Sequence, residues 1–160
     1  MQALDVANAI AAAHKDVPGG LLPALHGIQD ALGHVPAEAV PAIAGQFNLS
    51  RAEVHGVVSY YHHFRSAPAG RLLVQVCRAE ACKAMGADAL LDHAAAHLGC
   101  EVHGTTADGR SSLEPVFCLG LCASSPAMAI NGEVHARLTP ARFDAIVAAA
   151  DAAAPARAAS

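Results

Sequence analysis

Four of the five cysteines fall into two tight pairs, Cys77-Arg-Ala-Glu-Ala-Cys82 and Cys118-Leu-Gly-Leu-Cys122. The spacing is Cys-x4-Cys, then thirty-five residues, then Cys-x3-Cys. Four thiolates delivered from two loops suit a [2Fe–2S] cluster, which moves single electrons and needs no substrate pocket. The same four would serve a structural zinc, although zinc knuckles more often have two intervening residues. Disulfides belong mainly to oxidising compartments and small secreted scaffolds. A thioredoxin-type dithiol wants Cys-x-x-Cys, which the chain lacks. A Rieske centre replaces two cysteines with histidines close to the remaining pair, and only Cys100-Glu-Val-His103 approaches that. On spacing alone the cluster leads, with zinc open behind it.

Composition narrows the class. At 160 residues the chain can hold one medium domain or two small ones. Hydrophobic residues make up 54%, inflated by alanine, while aromatics are 4% and Trp is absent, so the core must be built from Leu, Val, Ile and Ala. A net charge of −4 with no basic block argues against nucleic acid and anionic membrane as partners. No apolar run approaches the roughly 18 residues of a spanning helix. The N-terminus carries Asp5 and no early Lys or Arg, unlike a signal peptide. A cytoplasmic, reducing location is expected, where thiolates more readily hold metal than form disulfides.

The elements that position the cysteines read in two halves. Leu4, Val6, Ala7, Ile10 and Ala11 repeat at helical spacing up to His14, and Pro18-Gly19-Gly20 breaks that helix. Leu21, Leu22, Leu25, Ile28, Gln29 and Leu32 form a second amphipathic face, closed near Gly33. Val35-Pro36 opens a third helix through about Phe47, distorted at its start by Pro41. Ser50-Arg-Ala-Glu53 is a capping box that starts a fourth helix carrying Val54, Val57, Val58 and Tyr61. Ser66-Ala-Pro-Ala-Gly70 is a linker by composition.

Beyond it the period changes. Leu72 to Val76 is a short apolar strand with Cys77 at its carboxyl end. A helix is expected from about Lys83 to Leu98, burying Met85, Leu90, Leu91, Ala94 and Leu98. Short strands follow near Glu101–Gly104 and Leu113–Phe117, around the turn Ala107-Asp108-Gly109. Asn131-Gly132 between Ala127–Ile130 and Glu133–Arg137 signals a hairpin. Thr139-Pro140 caps a last helix, Ala141 to about Ala150, with Phe143, Ile146 and Val147 inward. Both cysteine pairs are then expected in loops at strand ends. Gly120 would let backbone N–H groups turn toward the thiolates.

These motifs together resemble a known family. Leu21-Leu-Pro-Ala-Leu-His26, Val35-Pro36 and Leu49-Ser-Arg-Ala-Glu-Val-His-Gly-Val57 resemble the helical N-terminus of the thioredoxin-like [2Fe–2S] subunits. Such subunits accompany NADH-oxidising flavoproteins in respiratory complex I, NAD-linked hydrogenases and soluble NAD-dependent formate dehydrogenases. The second half resembles the thioredoxin-like ferredoxin domain of the same family, whose ligands match Cys77, Cys82, Cys118 and Cys122. The implied fold is α/β: an N-terminal helical bundle over 1–65, a [2Fe–2S] ferredoxin domain over 71–150 and a flexible tail over 151–160. A proline soon after the last ligand resembles the cis-proline of thioredoxin-like folds, which implies a cis Ser125–Pro126 bond.

Within the family, Arg78-Ala-Glu-Ala81 and Lys83-Ala-Met-Gly86 look most like the gamma subunit of molybdenum-containing NAD-dependent formate dehydrogenases. Complex I members usually carry Thr and Pro between the first two ligands, and many have Thr-Phe-Tyr where Gly56-Val-Val-Ser-Tyr-Tyr61 stands. Neither departure touches a ligand. The implied partners are an FMN- and NAD-binding flavoprotein (beta) subunit and a molybdenum-containing catalytic (alpha) subunit. FMN, NAD and the molybdenum cofactor would lie on those partners, since this chain has no glycine-rich dinucleotide fingerprint.

Other residues read more blandly. His62 and His63 are adjacent on a helix and point apart. His93 and His97 are spaced i, i+4, as metal pairs are, but read as a solvated helix face. Cys100 reads as a structural thiol. Arg78 and Glu80 are divided between solvent and partner contacts. Tyr60, Tyr61 and Phe64 read as core or interface. The segment from Leu21 to Phe64 holds more apolar side chains than one small core can cover, which points to docking on the flavoprotein.

Overall fold

The computed structural model describes residues 3–154. The chain divides between Pro68 and Ala69 into two units, inside the expected linker.

The first unit is helical. Its elements are α1 (Ala3–His14), α2 (Leu21–Leu32), a 3₁₀ turn (Ala37–Ala39), α3 (Val40–Gln46) and α4 (Arg51–Tyr60). Pro41 is the reason α3 starts late: it stands in the first turn, where a missing N–H costs nothing. α4 starts on the expected box, with Glu53 N–H donating to Ser50 Oγ at 3.2 Å and Ser50 N–H donating back to Glu53 Oε2 at 2.7 Å. With no tryptophan available, the core is built by close approach. Ala7 and Ala11 of α1 are fully buried with Leu25, Ile28, Ile43 and Val54. Gly27 permits that approach, because a Cβ there would meet Ile10 Cγ2 at 3.2 Å. Gln29 is buried yet satisfied: its amide donates to the His63 carbonyl and accepts from Arg65 N–H. Burial, with the charges of His26 and Arg65, pushes the His63 imidazole below its usual pKa.

The second unit is a five-stranded sheet with helices. Its elements are β1 (Leu72–Cys77), α5 (Glu80–Ala84), α6 (Ala87–Leu98), β2 (Gly104–Thr105), β3 (Ser111–Val116), a 3₁₀ turn (Cys122–Ser124), β4 (Met128–Ile130), β5 (Glu133–His135) and α7 (Pro140–Ala153). The order is β2-β3-β1-β4-β5, with β1 and β3 parallel and the other pairs antiparallel. A parallel pair needs a crossover, and α5 and α6 supply it. Leu72, Val74 and Val76 alternate into the core against Leu90, Leu91 and Ala94 of α6 and Phe143 and Val147 of α7. Together these elements form the expected α/β fold. The Ser125–Pro126 bond is cis, as expected.

Several boundaries differ from the sequence reading. The expected helix from Lys83 is two helices, because Gly86 takes a left-handed φ of 88°. Met85 ends α5 and is 62% exposed instead of buried. The strand expected at Glu101–Gly104 is reduced to Gly104–Thr105, and that expected at Leu113–Phe117 is Ser111–Val116, leaving Phe117 outside and 72% exposed. α7 runs past Ala150, since Asp151 pairs with Arg71 and lies 3.4 Å from Arg110. Residues 155–160 of the expected tail lie outside the described residues. Among the described residues, no helix is long and apolar enough to cross a membrane.

Candidate metal centre

Parallel pairing brings the two cysteine segments together. β1 ends on Cys77, paired with Val116 at the end of β3, so the chain leaves both strands at one end of the sheet. Arg78 N–H donates to the Val116 carbonyl at 2.8 Å, and Cys77 N–H donates to the Ala127 carbonyl at 3.0 Å. Both segments and the entry to β4 are thereby tied at one point.

Of the four cysteines, the structure leaves only Cys118 in a loop. Cys77 closes β1, Cys82 lies in α5, and Cys122 opens a 3₁₀ turn. α5 was hidden from sequence reading because five residues are too few to show a period. Cys77 and Cys82 are buried with Ala87 and Ala127, against Ala79, Val116, Leu119 and Leu121. Cys118 and Cys122 are exposed. All five cysteines are free thiols.

The four sulfurs sense one another. The Sγ atoms of Cys118 and Cys122 are 3.7 Å apart. That matches the edge of a tetrahedral thiolate site, about 3.8 Å for metal–sulfur bonds near 2.3 Å. Cys118 N–H donates to Cys77 Sγ at 3.3 Å, and Gly120 N–H donates to Cys118 Sγ at 3.4 Å. Gly120 does so from a left-handed φ of 78°, and Cys118 itself stands at 84°. Burial opposes ionisation of Cys77, but N–H donors from Ala79, Cys118 and Leu119, with the Cys82 thiol, outweigh it and lower its pKa. Burial, then the bond and charge of Cys77, push Cys82 up. The bond and charge of Cys118 push Cys122 up. Donors aimed at sulfur stabilise thiolate, the form that binds metal.

One supporting residue escaped sequence reading. Asp88, in the first turn of α6, accepts from Arg78 Nε at 2.8 Å and lies 3.7 Å from Lys83 Nζ. Arg78, in the first ligand segment, is thus engaged within the chain. The Arg78 hydrogen bond holds the Asp88 carboxyl below its usual range. Met85 and Phe117, both exposed, add apolar surface near Cys82 and Cys118 in the chain. Cys100 stands apart, packed against the main core, and burial pushes its thiol up.

Residues 7–151 match the family described as thioredoxin-like [2Fe-2S] ferredoxin. A subunit of the NADH-quinone oxidoreductase of Rhizobium meliloti (strain 1021) is 34% identical over 140 residues, covering 88% of this chain and 83% of that protein. The HndA subunit of the NADP-reducing hydrogenase of Solidesulfovibrio fructosivorans is 32% identical over 130 residues, covering 81% of this chain and 76% of that protein. Among solved structures, a chain of an NAD+-reducing [NiFe]-hydrogenase in the H2-reduced state superposes with a TM-score of 0.71 at 32% identity. The match covers 85% of this chain but only 23% of the hydrogenase chain. With its four thiols gathered at one end of a thioredoxin-like sheet, this chain belongs to the thioredoxin-like [2Fe-2S] ferredoxin family.

Proposed function

We propose that Cys77, Cys82, Cys118 and Cys122 hold one [2Fe–2S] cluster, and that the chain is an electron-transfer subunit of an NAD-dependent formate dehydrogenase converting formate and NAD to CO2 and NADH. The observation that carries the reading is the gathering of four free thiols at one end of the sheet, with backbone N–H groups aimed at sulfur.

When bound, the cluster supplies one-electron storage beside a flavin that exchanges two electrons with NAD. This chain's share is to hold and insulate it. Cys77 and Cys82 exclude water, while Cys118 and Cys122 open toward a partner. That partner is the flavoprotein (beta) subunit carrying FMN and NAD, with a molybdenum-containing alpha subunit beyond it. Contrary to the expected apolar excess, Ile28 and Val54 are buried in the helical unit's own core and Leu21, Leu22 and Val57 pack against it, so the docking surface narrows to Tyr60 and Tyr61, 74% and 43% exposed. The chain alone would be inactive.

The formate reading rests on Arg78-Ala-Glu-Ala81 and Lys83-Ala-Met-Gly86. A second reading, an equivalent component of complex I or of an NAD-linked hydrogenase, is favoured by the complexes to which the relatives belong. One experiment addresses both levels. The tagged full chain, purified from its native host, should contain two irons and two acid-labile sulfides, and should co-purify with FMN, molybdenum and formate-dependent NAD reduction. Nickel in place of molybdenum selects the hydrogenase, and a membrane-bound quinone reductase selects complex I. Zinc without iron overturns the cluster. In the same pull-down, Tyr60→Ala with Tyr61→Ala should weaken flavoprotein association about tenfold or more. Unchanged association would reject the docking surface.

A further inference from the structure

A second cluster of ligand-type side chains lies away from the cysteines. His93 and His97 project from one face of α6, and Asp144 reaches them from α7, fifty-one residues beyond His93. His93 Nε2 is 2.7 Å and His97 Nδ1 is 3.1 Å from the same oxygen, Asp144 Oδ1. The ligand atoms of all three lie within 4.8 Å of one another.

The rings are held in place. They stack at 5.9 Å with 25° between planes, and both meet Phe143 edge-on at 5.8 and 5.9 Å. Phe143 is fully buried in the core of the sheet unit, so both imidazoles rest on a rigid support. The side chains of His93, His97 and Asp144 are 32%, 36% and 39% exposed. The cluster therefore borders solvent, from which water can supply a fourth ligand.

Two imidazole nitrogens and a carboxylate oxygen converging on one point are a donor set for a divalent ion, which takes both rings as neutral ligands. Tetrahedral coordination at about 2.0–2.1 Å needs ligand atoms about 3.3 Å apart. From 2.7 and 3.1 Å, the His93 and His97 nitrogens need to move away from Asp144 Oδ1 by roughly 0.6 and 0.2 Å to reach that spacing.

We infer that His93, His97 and Asp144 form a site for a divalent transition ion of the zinc class, stapling α6 to α7. Two imidazoles and one carboxylate are a borderline donor set, suited to Zn²⁺, Ni²⁺ or Cu²⁺ and poor for Mg²⁺ or Ca²⁺. The site is separate from the thiols. His93 and His97 lie about 9 and 15 Å along α6 from Ala87, which packs with Cys77 and Cys82. Zinc has no redox chemistry, so the ion would brace the cluster domain and carry no electrons.

The test is calorimetric titration of Zn²⁺ into the full chain carrying its iron–sulfur cluster, with iron measured before and after. One zinc should bind per chain while iron stays constant. His93→Gln, His97→Gln and Asp144→Asn should each weaken binding at least tenfold, and His55→Gln, at an exposed histidine on α4, should not. Zinc should also raise the melting temperature of the wild type and not of Asp144→Asn, the most conservative change. The same zinc isotherm in His97→Gln and Asp144→Asn would overturn the site. So would zinc uptake only at the expense of iron, or no saturable uptake at all.

Discussion

Cys77 and Cys82 are 1% and 2% exposed and packed among alanines, whereas Cys118 and Cys122 are exposed, one in a loop and the other at the start of a 3₁₀ turn. The first pair is placed by regular structure, one sulfur at a strand end and the other on a short helix. The second is placed by backbone torsion, with Cys118 and Gly120 both left-handed. Folding alone thus fixes half of the proposed site, because those thiols are also core side chains. The other half depends on local conformations that a metal would hold together.

The largest effects should erase this difference in the loaded protein and expose it in the metal-free one. Cys82→Ala and Cys122→Ala should both drop iron from two per chain to near zero, while Cys100→Ala keeps it. In the metal-free chain Cys82→Ala should cost about 1 kcal/mol, a melting shift of about 4–8 °C for a unit of this size. Cys122→Ala should leave the melt unchanged. Alkylation followed by mass spectrometry sharpens the contrast: Cys118 and Cys122 should be labelled first. Equal labelling of all four would break the comparison.

A smaller effect isolates the exposed arm. Gly120→Ala should cost about 1 kcal/mol, read as roughly fivefold faster iron release to a chelator. A Cβ there meets nothing within 4 Å, so the cost is conformational. Gly120→Asn should recover part of it, because Asn tolerates the left-handed region. If Ala and Asn behave alike, torsion does not set the arm.

The smallest effect concerns the buried arm's tether. Asp88→Asn removes the partner of Arg78 and Lys83. The carboxyl is held below its ordinary value of 3.8. Its stabilisation is therefore present above that value and lost as pH falls through the lowered one. Both groups are substantially exposed, so salt should screen the tether. Wild type and Asp88→Asn should differ slightly in melting temperature at neutral pH and low salt, and converge in high salt or strong acid. A difference that survives high salt would show that the tether acts by packing.

What was legible in the sequence was local. The Ser50–Glu53 box, the Thr139 cap and the Asn131-Gly132 hairpin are each fixed by neighbours within four residues, and each stands where expected. The thiol spacing was equally readable. Less visible was anything set by one torsion or by distant chain. Gly86 cuts the long helix and turns Met85 outward. Asp88 acquires meaning only when Arg78 swings across to it. His93 and His97 look like a solvated face until α7 brings Asp144 over them.

Both edges of the sheet are short. β2 has two residues and β5 has three, outside the six-residue β3 and β1 and the three-residue β4. Unpaired strand edges invite pairing with other chains, and short edges offer little to pair with. If the proposed cluster and partner are added after synthesis, the waiting chain is guarded in this way against self-association through its strands, and its open thiol arm is the more hazardous surface during assembly.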